Sequence, residues 1–225
     1  MQCVLLCAGA GTRLRPLTEA TPKPLVSVCG EPILTHIVRA LPREINELVL
    51  VVGYRHEQIR AFCGENFLGR RVRYVEQANF AGGTGEALAC AQELLTDRFL
   101  FMYADDIHGA DALAAVVACE HGMLAAHSDT PERFGVLRQN ADGTLAGIDE
   151  KPTQPASNLI NIGGFVVNTA IFDYQVDRTP GGELLVTDLL TAYAAEYPVE
   201  IIEQPLWLPI GYPDDIPRAE AVLAT

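Results

Sequence analysis

The first thirty residues combine a glycine-rich turn with three cationic side chains. A short apolar run at residues 2–7 is followed by Gly-Ala-Gly-Thr-Arg at residues 9–13, and Lys23 stands ten residues further on between two prolines. Glycines let backbone N–H groups approach phosphate oxygens, and an arginine can bind two such oxygens with its planar fork. Arg13, Arg15 and Lys23 face one acidic residue here, although the chain has a formal net charge of −13. The segment is therefore interpreted as a local polyphosphate site rather than a nucleic-acid surface.

Composition excludes several other classes of protein. The chain has 225 residues, 49% hydrophobic and 20% charged, which is typical of a globular protein with one sizeable α/β domain. Its acidity argues against nucleic-acid and anionic-membrane partners. No apolar run approaches the roughly 20 residues of a membrane span, and no basic segment precedes the first apolar run as in a signal peptide. The six cysteines form no CxxC pair, so we expect them to be reduced and buried and the protein to be cytoplasmic.

Apolar runs alternate with helical spacing over the first 130 residues, which predicts a mostly parallel sheet covered on both faces. The predicted strands are 2–7, 47–52, 72–76, 98–103 and 123–127. The predicted helices are 33–41, 56–63, 85–95 with Thr84 as N-cap, and 110–120. Beyond residue 130 we expect strands at 134–137, 145–148 and 160–167 and helices at 186–196 and 216–224, forming a β-rich pocket. Ligands bind at the carboxyl ends of strands in such sheets, so the loops after Cys7, Glu76, Tyr103 and Ile148 should face one crevice.

A long, dense motif gives the polyphosphate site a family. Residues 6–34 read LCAGAGTRLRPLTEATPKPLVSVCGEPIL and resemble the signature LAAGxGTRLxPLTxxxPKPLxxVxGxPxL of the sugar-1-phosphate nucleotidylyltransferases. The resemblance implies a three-layer α/β/α, Rossmann-like fold over residues 1–225, with a nucleotide-binding half (1–130) and a β-rich sugar-phosphate-binding half (131–225). Because the chain shows no hexapeptide repeats, we expect no β-helix domain in it.

The resemblance also implies a reaction. Arg13 and Lys23 would be the catalytic pair that neutralises a nucleoside triphosphate. A sugar 1-phosphate would attack the α-phosphorus in line, and pyrophosphate would leave. The chain has only two lysines, Lys23 and Lys151, and both fall within family-like motifs.

Further roles follow residue by residue from the resemblance. The expected nucleotide contacts are Ala8, Gly9, Gly11, Thr12, Gln77, Gly83 and Thr84. The Gln77 amide can both donate to and accept from the edge of uracil or thymine, which favours UTP or dTTP. The expected sugar-phosphate contacts are Gly135, Glu150, Lys151 and Asn161. Asp105 is the expected Mg²⁺ ligand, whereas Asp106 is expected in a turn or supporting role and the role of Glu86 is open.

One departure from the family leaves alternatives open. Pro209, in the segment 207–211, replaces the aspartate that would be the second Mg²⁺ ligand. Either Asp105, phosphates and water hold the ion, or Asp214 or Asp215 substitutes, or activity is weakened. A cytidylyltransferase for another acceptor such as phosphocholine, or a non-catalytic nucleotide- or sugar-binding homologue, are the alternative functions. The resemblance also allows for a homo-oligomer, although nothing in the sequence locates an interface.

Overall fold

The structure, a computed structural model, describes residues 1–224 and is built around one sheet of ten strands. The strands are β1 (Gln2–Cys7), β2 (Ser27–Val28), β3 (Glu31–Pro32), β4 (Glu47–Val52), β5 (Asn66–Phe67), β6 (Arg70–Glu76), β7 (Arg98–Tyr103), β8 (Asp106–His108), β9 (Gly122–His127), β10 (Gly135–Gln139), β11 (Leu145–Glu150), β12 (Leu159–Asn168), β13 (Glu200–Glu203) and β14 (Trp207–Pro209). The helices are α1 (Ile33–Ala40), α2 (His56–Cys63), α3 (Gly83–Cys90), α4 (Ala110–Ala118), α5 (Val186–Ala194) and α6 (Asp215–Leu223). Within the described part of the chain, no helix has both the length and the apolar character needed to span a membrane.

Four parallel strands form the middle of the sheet, in the order β7, β1, β4 and β6. Cys3, Val4 and Leu5 of β1 are fully buried, as expected for a parallel strand that is covered on both faces. Because the four strands run in the same direction, their carboxyl ends meet at one edge. The loops after β1, β6 and β7 therefore share an edge, as the sequence predicts.

Two hydrophobic cores lie on opposite faces of this sheet. Successive strand residues point to opposite faces, so Leu5 packs with residues of α1, α2 and α4, including Ile37. Val4 packs on the other face with Leu88 of α3 and Leu190 of α5. The result is a three-layer α/β/α arrangement, and the predicted fold class is confirmed.

Strand β12 attaches the second half of the chain to the first. It pairs antiparallel with β7, β9 and β10, so the β-rich half extends the same sheet. The register with β9 shifts between Asn161 and Phe165, and Gly163 has φ +82° within this bulge. A Cβ at Gly163 would lie 2.1 Å from the ring of Tyr103 at the end of β7. The bulge therefore brings the second half close to the carboxyl edge of the parallel strands.

Two local predictions are wrong. The helix expected at 85–95 is α3, which begins at Gly83 and ends at Cys90, so Thr84 lies inside it and is not its N-cap. The Thr84 hydroxyl instead accepts a hydrogen bond of 3.1 Å from the Val186 N–H. All six cysteines are unpaired, as expected, but two of them are not buried: Cys29 is exposed in the turn between β2 and β3, and Cys90 at the end of α3 is only partly buried.

Candidate active site

The glycine-rich loop follows β1 at the carboxyl edge of the sheet, and contacts from below fix its shape. Gly11 lies in the left-handed region (φ 59°, ψ 36°), and a Cβ there would be 3.0 Å from the Lys23 side chain. The buried Thr18 hydroxyl, which the sequence does not single out, donates a hydrogen bond of 2.8 Å to the Gly11 carbonyl. Apart from its two chain neighbours, no described residue has a heavy atom within 4 Å of a Cβ built at Gly9. The loop is thus supported from inside while its outer surface is open to a ligand.

Arg13 and Lys23 are held differently. Arg13 is exposed, and no hydrogen bond or ion pair to its side chain occurs within residues 1–224. The Lys23 side chain is only 14% exposed, and its Nζ lies 2.8 Å from Oδ2 of Asp105, just beyond the end of β7. The structure therefore brings Lys23 and Asp105 together across the ends of β1 and β7. It leaves Arg13 free to contact an anion over the loop.

Asp105 is the carboxylate with which this edge could bind a magnesium ion. Its side chain is 40% exposed, and Mg²⁺ commonly binds one or two carboxylates while substrate phosphates and water complete its coordination. Within residues 1–224, no group of three or more histidine, cysteine, aspartate or glutamate side chains could hold a metal. This donor set fits a magnesium ion held mainly by phosphates and water, and it does not fit a metal held by protein alone.

The short ladder of β8 and β14 places Asp106 opposite Pro209. Pro209 has no side-chain oxygen, whereas the Asp106 carboxyl group accepts a hydrogen bond of 2.9 Å from Trp207 Nε1–H. Burial, followed by the negative charge of Asp105, raises the pKa of Asp106 to about 8. Asp215, one candidate substitute for the missing aspartate, accepts hydrogen bonds from two backbone N–H groups of the preceding turn. Asp106 is therefore the carboxyl group that faces Pro209.

Gln77, at the end of β6, has only half of its amide available to a ligand. It is 6% exposed, and its Nε2 donates to the carbonyl oxygens of Asn79 at 3.0 Å and Gly83 at 3.4 Å. No residue among 1–224 donates to its Oε1. Gln77 can thus accept a hydrogen bond from a ligand, while its donors hold the loop, a restriction that the sequence does not reveal.

Position 83 requires glycine because the segment before α5 packs closely against it. It has φ +86°, and a Cβ there would lie 2.5 Å from the carbonyl oxygen of Leu184. Leu184 donates its N–H to the carbonyl of Gly82 and accepts from the N–H of Gly85, both at 2.8 Å. The segment before α5 is therefore fastened to the start of α3.

In the second half of the chain, Gly135, Glu150 and Asn161 are neighbours. Gly135 pairs with Glu150 in the β10–β11 hairpin, and a Cβ on Gly135 would lie 3.3 Å from Glu150 Oε2 and 3.6 Å from Asn161 Cβ. Oδ1 of Asn161 accepts a hydrogen bond of 2.8 Å from the Gly163 N–H. The NH₂ group of Asn161 and the carboxylate of Glu150 thus supply a donor and an acceptor at one place, which suits ligand hydroxyl groups.

Lys151 stands at the mouth of this group. Its Nζ lies 3.1 Å from Glu150 Oε1, and its side chain is 58% exposed. Its backbone has φ +45°, which is unusual for a lysine, and strained residues of this kind cluster at functional sites. Thr187, in the first turn of α5, donates a hydrogen bond of 3.4 Å to Glu150 Oε2. The carboxylate is thus held from below, and the ammonium group is exposed to a ligand.

Tyr103 lies between the first and the second half of the chain, and the sequence analysis does not identify it as a site residue. Burial, followed by the charges of Glu150 and Asp105, raises the pKa of Tyr103 well above its ordinary value. A side-chain hydrogen bond from Thr84 opposes that shift. Tyr103 therefore lies among residues from the nucleotide side, the expected metal ligand and the sugar side. The signal in the sequence is an aromatic residue at the carboxyl end of a central strand.

Comparison with known proteins shows the family to which the chain belongs. The model of the nucleotidyl transferase family matches residues 2–225, so the chain belongs to the nucleotidyl transferase family. The family resemblance read from residues 6–34 is thereby confirmed.

Individual proteins of known name are similar to the chain over nearly its whole length. It is 34% identical over 233 residues to UTP--glucose-1-phosphate uridylyltransferase AglF of Haloferax volcanii, covering 98% of this chain and 95% of that protein. It is 32% identical over 226 residues to bifunctional protein GlmU of Methanococcus maripaludis, covering 98% of this chain but 54% of GlmU. The chain thus spans about half the length of the GlmU relatives it matches. A Bacillus anthracis structure, described as a glucose-1-phosphate thymidylyltransferase in complex with sucrose, superposes with a TM-score of 0.88 at 27% identity, covering 99% and 94% of the two chains.

Proposed function

We propose that this chain transfers a nucleoside monophosphate from UTP or dTTP to a sugar 1-phosphate and releases pyrophosphate. The observation that carries the proposal is the Lys23–Asp105 contact of 2.8 Å at the carboxyl edge of the sheet. The glycine-rich loop with the free Arg13 lies on one side of this contact, and the Glu150–Lys151 pair lies on the other. Arg13 and Lys23 would therefore serve one phosphorylated substrate and Lys151 the other, with the Asp105 carboxylate between them.

In this proposal the chain acts by positioning and neutralising charge. Arg13 and Lys23 hold the triphosphate over residues 8–12 and stabilise the charge that develops on its oxygens. The sugar phosphate is already largely dianionic at neutral pH, so its attack on the α-phosphorus needs no general base. A magnesium ion at Asp105, when bound, would neutralise the phosphates of the triphosphate.

The second half of the chain would orient the attacking phosphate. Glu150 accepts hydrogen bonds from sugar hydroxyls, the Asn161 NH₂ group donates to them, and Lys151 binds the phosphate. Residues 1–130 would thus serve the nucleotide and residues 131–225 the sugar phosphate. The free acceptor Oε1 of Gln77 supports a base with an N3–H donor, as in uracil and thymine. Both substrates are metabolites of the cytoplasm, to which we assign the protein.

A grid of nucleotides against sugar 1-phosphates in a coupled pyrophosphate-release assay tests the proposal. We expect turnover with UTP or dTTP and at least one hexose 1-phosphate in the presence of Mg²⁺. Turnover restricted to CTP and phosphocholine would favour the alternative cytidylyltransferase. Nucleotide binding in a calorimeter without turnover of any pair would refute the enzymatic proposal and favour a binding homologue.

A further inference from the structure

Phe80 is an anomaly in the loop between β6 and α3. It is 60% exposed, more than any of the other exposed large hydrophobic residues, which range from 41% to 46%. Large aromatic rings usually bury most of their surface. Phe80 is also only three residues from Gln77, the residue proposed to meet the edge of the base. An exposed ring at this place is available to a ligand that binds beside Gln77.

The ring packs against Gly53 at the carboxyl edge of the sheet. A Cβ built on Gly53, at the end of β4, would lie 2.3 Å from Phe80 Cε1 and 3.0 Å from the carbonyl oxygen of Ala8. Gly53 is not among the glycines with positive φ, so its backbone conformation does not require glycine. The absence of a side chain at Gly53 instead makes room for the ring beside the glycine-rich loop.

A hydrogen-bonded network presents the ring at this position. The Gln77 N–H donates to the Val52 carbonyl at 2.9 Å, which fixes the start of the loop. The Asn79 amide donates to Glu86 Oε1 at 2.9 Å, and Arg178 Nη2 donates to Glu86 Oε2 at 2.8 Å. This network accounts for Glu86, whose role the sequence leaves open. It holds residues on both sides of Phe80, while 60% of the Phe80 surface remains exposed.

We propose that the exposed face of Phe80 stacks on the nucleobase whose edge Gln77 meets. The proposal rests on the proposed function, because it requires a nucleotide over the glycine-rich loop. Every base has an aromatic face, so stacking adds affinity without selecting the base. Phe80 would then strengthen binding of UTP and dTTP alike, and the hydrogen bond to Gln77 would select between bases.

Calorimetric titration with UTP, dTTP and inorganic triphosphate tests the proposal on the intact chain. Phe80→Ala should raise the Kd of both nucleotides roughly 5- to 150-fold, the range expected for loss of one base–aromatic stack. The Kd of inorganic triphosphate, which has no base, should stay within about twofold by the same reasoning. Phe80→Trp should keep the wild-type affinity, and Gly53→Ala should weaken nucleotide binding because its methyl group displaces the ring.

Phe62→Ala is the matched control, because Phe62 is 41% exposed on α2 and its ring contacts Phe67 at 5.2 Å between centroids. It should leave all three affinities unchanged. Nucleotide affinity of Phe80→Ala within twofold of wild type, or an equal loss for triphosphate and nucleotides, would overturn the stacking role while the proposed function stands. A wild-type chain that binds triphosphate but no nucleotide would remove the proposed function and the stacking role together.

Discussion

Replacing Lys23 by methionine should separate its catalytic role from any structural one. Methionine keeps most of the apolar stem that packs against Gly11 and removes only the ammonium charge. The abandoned Asp105 carboxylate is 40% exposed and can be hydrated, so the free energy of unfolding should fall by no more than about 1 kcal/mol. Loss of a positioned charge from the transition state should lower kcat by roughly 10²- to 10³-fold, or about 3–4 kcal/mol. The effect on turnover should therefore exceed the effect on stability by about 2 kcal/mol.

Two measurements on one preparation decide this. Pyrophosphate release gives kcat and KM, and urea unfolding gives the stability. Lys151→Met is the matched control, since these are the only two lysines in the chain. It should raise the KM for the sugar phosphate and leave nucleotide binding unchanged. A Lys23→Met variant that retains near wild-type kcat, or that loses as much stability as activation free energy, would refute the assignment of Lys23 to catalysis.

Three further expectations follow from the packing around the site. Burial lowers the pKa of His108 to about 4 from 6.5; because the unfolded chain takes up a proton first, stability should fall as pH drops from 6.5 to 4, by roughly 3 kcal/mol from this residue. Urea unfolding at several pH values should show that slope, and it should be shallower in His108→Asn. Gly83→Ala should lower Tm by several degrees in a thermal melt, because alanine would have to adopt φ +86° and its Cβ would lie 2.5 Å from the carbonyl oxygen of Leu184. Gly182 has φ +87° but open space around it, so Gly182→Ala should lower Tm less. If the 2.8 Å ion pair between Glu86 and Arg178 positions the loop between β6 and α3, Glu86→Arg and Arg178→Glu should each raise the KM for the nucleotide several-fold. The double variant, in which the two charges are exchanged, should then have a KM closer to that of the wild type.

The central strands were predictable because their signals are local. A strand buried on both faces must be apolar throughout, so β1, β4 and β7 have the bounds that the sequence indicates. The glycine-rich turn was likewise predictable from its composition, although the structure gives a different reason for Gly11, namely its positive φ and the Lys23 side chain beside it. The family motifs also single out Lys23 and Asp105, and the structure brings these two side chains within 2.8 Å of each other, while their functional roles stay predictions.

What the sequence could not provide depends on contacts between distant segments. Strands β8 and β14 have three residues each and exist through pairing over about a hundred residues, stabilised by the Trp207–Asp106 hydrogen bond. Threonine is a residue type typical of an N-cap, but the N–H of Val186, the first residue of α5, donates to the Thr84 hydroxyl, and the helix starts at Gly83, two residues before the predicted start. Tyr103 becomes a shared element of the site only because the β12 bulge lies against its ring. Each of these features depends on a contact with a distant segment, which the local residue pattern does not specify.

In the free protein, the Lys23–Asp105 ion pair holds both charged groups in place. Lys23 is largely buried, and an unpaired buried ammonium group would be destabilising. Under the proposed function Lys23 would contact the nucleotide phosphates and Asp105 would help to hold a magnesium ion, so each group would exchange one opposite charge for another. Neither group would then be left without a counter-charge. The pair would therefore open on binding without the penalty that breaking a buried ion pair normally carries, and the same contact would be stable in the free protein and available to the substrates.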